Sequence, residues 1–67
     1  MNLMEKLESY IHMQINYAQR MPEHRKTFET QVFGAIEMAA LLDPEKQDIF
    51  EKKWYDFKKT LDNLLEV

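Results

Sequence analysis

Residues 41–45 read Leu41-Leu42-Asp43-Pro44-Glu45, and this stretch divides the second half of the chain into two helices. Asp43 stands where a cap belongs, Pro44 occupies the first helical position, and Glu45 follows in the first turn, where the helix dipole favours negative charge. A helix is therefore expected from Pro44 to about Leu65. Its apolar positions, Phe50, Trp54, Phe57, Leu61, Leu64 and Leu65, recur near coiled-coil spacing. Asp48 and Lys52 are set for an i,i+4 pair on the solvated side. The link at Leu42-Asp43 is so short that the helices on either side must lie antiparallel or meet at a steep corner.

Upstream, a second break falls at Met21-Pro22, because proline is favoured in a first helical turn and pushes the preceding residue out of helical geometry. A helix from about Pro22 to Leu42 follows, with a main stripe of Phe28, Val32, Ala35, Ile36, Ala39 and Leu42. Phe33, Met38, Ala40 and Leu41 lie outside that stripe, so the C-terminal half is apolar nearly all round. Such a helix is normally enclosed. The first helix is expected over residues 3–20. Asn2 and Glu5 have capping-box spacing, and Leu3, Leu7, Tyr10, Ile11 and Ala18 recur at helical spacing. Met4, Met13, Ile15 and Tyr17 widen the stripe to an arc of roughly 200°, about twice what one core-facing stripe requires.

The expected fold is therefore all-α and a single domain over residues 1–67. A three-helix bundle is favoured, with a helical hairpin plus an N-terminal helix as the more open alternative, either one completed by self-association. Sixty-seven residues bury a small core, and chains this short draw extra stability from disulfides, metals or partner chains. With no cysteine, disulfides and thiolate metal sites are excluded, which leaves a partner chain or very good helix packing. No apolar run approaches bilayer length, and Met1-Asn2-Leu3-Met4-Glu5-Lys6 has no basic-then-apolar leader pattern, so a cytoplasmic protein is expected.

Catalytic chemistry has little to rest on. Ser9 lies within a helix with no glycine turn to expose it, and Thr27, Thr30 and Thr60 lack a neighbouring base. His12 with Glu8, and His24 with Glu23, supply too few ligands to close a zinc shell, and the repeated Glu-x-x-His pattern of di-metal bundles is missing. The expectation is a non-enzyme with no cofactor and no metal.

Two interaction features remain. Met13 and Tyr17 on the first helix, with Met38, Ala40 and Leu41 on the second, are apolar surface beyond what three short helices hide. They make a homodimer the favoured partner state, an unidentified protein partner being the other possibility. Gly34 interrupts a good helix at a cost of about 1 kcal/mol relative to alanine and projects opposite the main stripe. Tyr55 likewise points away from its stripe, a placement common in protein contacts.

The second feature is the basic group Arg20, His24, Arg25 and Lys26. Positive charge opposes the dipole at a helix start, and beside free backbone N–H groups it suits an anion or an acidic partner surface. An up-down-up bundle brings Asp62, Glu66 and the terminal carboxylate of Val67 to the same pole, and this internal neutralisation is the preferred expectation. The alternative is an anion- or nucleic-acid-associated regulator acting through residues 20–26. A net charge of −3 argues against nucleic acid as the main partner. A helix-turn-helix reading of residues 33–54 fails because its reading helix would open with Asp43, Glu45 and Asp48 facing phosphates. The general look of the chain is similar to that of small helical proteins of bacteria and their phages, a likeness that names no activity.

Overall fold

The computed structural model describes residues 2–65, which form an all-α three-helix bundle. Helix α1 spans Leu3–Arg20, α2 spans Arg25–Leu42 and α3 spans Gln47–Leu65. Single 3-10 turns, Pro22–His24 and Pro44–Lys46, lead into α2 and α3. The expected starts at Pro22 and Pro44 thus fall on these tighter turns, with the α-helices opening three residues later. A 3-10 turn is a common way of entering a helix, and proline's missing N–H costs nothing at its first position.

Asn2 caps α1 as its spacing requires. Its side-chain oxygen accepts from the Glu5 N–H at 2.8 Å, and the Glu5 carboxylate accepts from the Asn2 N–H at 3.2 Å. Asp43 makes no side-chain cap hydrogen bond. It pairs instead with Lys46 at 3.6 Å, tying the corner between α2 and α3.

Three contacts fix the up-down-up order. Tyr17 near the end of α1 packs on Phe28 near the start of α2, with ring centroids 6.2 Å apart. Arg25 at the start of α2 reaches Asp62 near the end of α3. Lys53 of α3 donates to Glu8 of α1 at 2.9 Å, which sets those two helices parallel.

Nine apolar residues make the core among the described residues: Leu7 and Ala18 from α1, Phe28, Val32, Ile36 and Ala39 from α2, and Phe50, Phe57 and Leu61 from α3. Leu3, Tyr10, Ile11, Ala35, Trp54 and Leu65, expected in the stripes, are half-buried around it. Three expectations are corrected. Leu42 and Leu64, placed in stripes, are exposed; each lies in the last turn of its helix, where fewer neighbouring side chains remain to cover it. Lys52 pairs with Asp56 at 3.4 Å rather than with Asp48. Gln14, in no stripe, is 4% exposed, and its Oε1 has no hydrogen-bond partner. Among the described residues no helix is long and apolar enough to cross a membrane.

Candidate interaction surfaces

Helix α2 is the central element, and it cannot hide its own apolar side chains. Phe33 is 43% exposed, Met38 57%, Leu42 67% and Leu41 77%. The reason is geometric: α1 and α3 cover two flanks of α2, while its apolar residues continue round the outer side.

These side chains divide into two surfaces. Phe33, Ala40 and Leu41 line an open groove of about 790 Å³ between α2 and α3. Ile36 and Phe50, both buried, form its floor, and Trp54 and Tyr55 form the α3 wall. Pro44 and Gln47 lie at the corner end. Phe33 and Trp54 meet edge to face across the groove with centroids 5.1 Å apart. Trp54 stacks in turn on Phe57 at 6.0 Å. The Lys58 ammonium lies 5.0 Å from the Trp54 ring centroid and 5.1 Å from that of Tyr55, so these π faces already hold a cation. Glu37 and Glu51 face the groove from opposite walls. Neither has an ion-pair partner among the described residues; Glu51 accepts only an amide hydrogen bond from Gln47 at 3.2 Å.

Met38 and Leu42 do not line the groove. Leu42 is nine residues from Phe33, which at 100° per residue is about half a turn round the helix, towards α1. Met13 and Tyr17 are exposed on α1, and the contact of Tyr17 with Phe28 places them on the flank facing α2. Since α1 and α2 run antiparallel, Met13 and Tyr17 lie towards one end of this α1–α2 face and Met38 and Leu42 towards the other.

The five side chains expected to form one surface are therefore split. Ala40, half-buried, and Leu41 belong to the α2–α3 groove, whereas Met13, Tyr17 and Met38 lie on the α1–α2 face. Sequence reasoning marked Phe33 and Tyr55 as lying off their stripes. It did not show that the two converge, because periodicity gives a direction around one helix and says nothing of what lies opposite.

At the basic pole Arg25 is engaged internally. Its Nε donates to Glu29 at 2.6 Å, and its Nη2 donates to Asp62 at 2.5 Å and to the Lys58 carbonyl at 3.5 Å. The hydrogen bonds to Asp62 and then to Glu29 raise its pKa further above its usual high value. Arg20, His24 and Lys26 are exposed and make no ion pair among the described residues. Glu66 and Val67, the other two expected neutralising groups, lie outside the described residues. Among the described residues no three histidine or carboxylate side chains converge as a metal site would require.

Compared with family models, curated proteins and solved structures, the chain matches none.

Proposed function

We propose that this chain is a non-catalytic helical interaction module that self-associates through its α1–α2 face. The observation that carries the reading is the exposure of Met38 and Leu42 on one helix, at 57% and 67%, in a chain whose buried core is small. Large apolar side chains grouped in this way on a soluble surface mark contact sites, because each loses its hydration cost when covered.

A second copy suits this face. A two-fold axis between the copies brings the same patch against itself in reverse order. Met13 and Tyr17 of one copy then meet Met38 and Leu42 of the other, twice over, and every exposed apolar group on the face finds an apolar partner. The alternative, an anion-binding role at the basic pole, has less support, since Arg25 is already committed to Glu29 and Asp62.

The test is Met38→Glu, which places a charge within the proposed contact without touching the core. Light scattering should give a multimer for the unaltered chain and a monomer for the variant, with unchanged helical circular dichroism. Equal masses for the two chains would overturn the reading.

A further inference from the structure

We infer that the α2–α3 groove is a docking site for a basic amphipathic helix from another protein. The inference does not depend on self-association, because the groove lies on the opposite flank of α2 from the α1–α2 face.

The shape argument comes first. A three-helix bundle with an apolar trough between two of its antiparallel helices is one helix short of a four-helix arrangement, and a further helix laid into such a trough is a recurrent mode of recognition. The floor is apolar at Ile36 and Phe50, and the walls carry Phe33, Leu41, Trp54 and Tyr55. An entering helix would set leucine- or methionine-sized side chains, one turn apart, along this floor.

Charge then selects the occupant. Glu37 on one wall and Glu51 on the other are exposed carboxylates with no cation of their own among the described residues. Glu45 and Asp48 continue the acidic character past the corner end, both exposed and likewise without ion-pair partners among the described residues. At the other end Lys58 already occupies the Trp54 and Tyr55 ring faces as a cation. The acidic walls therefore favour lysine or arginine flanking the apolar stripe of the ligand along Glu37 and Glu51, away from the Lys58 end. A second copy of this chain is the poorer fit. Groove on groove would bring Glu37 and Glu51 of both copies together, and like charges in a partly desolvated contact oppose association.

The chain has one tryptophan, and it lies in the groove wall, so its fluorescence reports occupancy directly. The probe is a synthetic amphipathic helix of about 18 residues with leucines at i, i+3, i+4 and i+7, lysines flanking them, and no aromatic residue. A control peptide carries glutamate in place of every lysine. Saturable binding of the basic peptide is expected, with a change in Trp54 emission. It should weaken about tenfold in the double variant Glu37→Gln, Glu51→Gln, and again on raising salt from about 50 mM to about 500 mM. Tyr55→Ala should weaken it independently of salt.

Equal binding of basic and acidic peptides would overturn the assignment of a basic ligand. So would wild-type affinity in the glutamine variant, whose exposed substitutions leave the core untouched. No binding of either peptide would overturn the groove as a helix site. Light scattering on the same samples separates this result from the self-association reading: a monomeric chain that binds the peptide sinks only the former proposal, and a dimer that does not bind sinks only this one.

Discussion

Phe33 meets Trp54 edge-on across the α2–α3 groove, centroids 5.1 Å apart and ring planes inclined at 63°. Neither ring belongs to the buried core, yet together they hold the two groove walls in register. The contact joins helices whose sequences give no sign of pairing at these positions. It also sets the scale of what the groove contributes to folding.

Phe33→Ala should cost about 2 kcal/mol, the worth of an aromatic pair plus partial burial. Phe57→Ala removes a ring that is 2% exposed and should cost about 3–5 kcal/mol, enough to unfold much of a domain this small. Urea denaturation of the two variants checks the ranking. A loss at Phe33 as large as that at Phe57 would mean the groove wall is core rather than docking surface.

Gln14→Met should stabilise the bundle. Gln14 is buried with its Oε1 unpartnered, and a buried acceptor without a donor costs roughly 1–3 kcal/mol. Methionine has similar volume and no polar atom, so the substitution removes the penalty without opening a cavity. The melting temperature should rise by about 4–8 °C for each kcal/mol gained in a domain of this size. A fall would show that the amide makes a hydrogen bond in solution, through a trapped water or a partner chain.

The Arg25–Asp62 ion pair joins the start of α2 to the end of α3 and is open to solvent on the Asp62 side. A double-mutant cycle with Arg25→Met and Asp62→Asn should give a coupling of about 0.5–1 kcal/mol, most of it lost at high salt. The pH dependence follows from the sign of the shift. Arg25 has its pKa raised, so its contribution is complete below the unfolded value and is lost only as pH climbs through the folded one. Both lie far above neutrality. Between about pH 6 and pH 9 the coupling should stay constant. A coupling that changed within that window would point to another titrating group in the pair.

Gly34→Ala tests the outer side of α2. A Cβ at this position meets no atom within 4 Å, so the fold itself does not require glycine there. Helix propensity alone should then add about 1 kcal/mol of stability. Differential scanning calorimetry at low concentration measures this. A destabilised variant would mean that the space outside Gly34 is filled in solution.

Much of this architecture was legible from the sequence, for identifiable reasons. Asn2, Pro22 and Pro44 each act through local backbone chemistry, which needs no tertiary partner, so the helix starts were placed within a few residues. Leu7, Val32, Phe50 and Leu61 lie at the centres of their stripes and are buried whichever neighbour covers them. Leu42 and Leu64 were misplaced because a helical period does not reveal where the covering helix ends. Gln14 was missed for the opposite reason: a polar side chain gives no apolar signal even when its angular position faces inward. The groove needed both walls at once. Phe33 and Tyr55 each registered as lying off a stripe, but only the packing of α2 on α3 makes them face one space.

The most direct test of the central claim is the molar mass of the unaltered chain, by light scattering across a concentration series at low and high salt. Self-association through an apolar face predicts a dimer or larger species that persists at high salt and dissociates only on dilution. A chain that stays at 8.1 kDa at every concentration would contradict it.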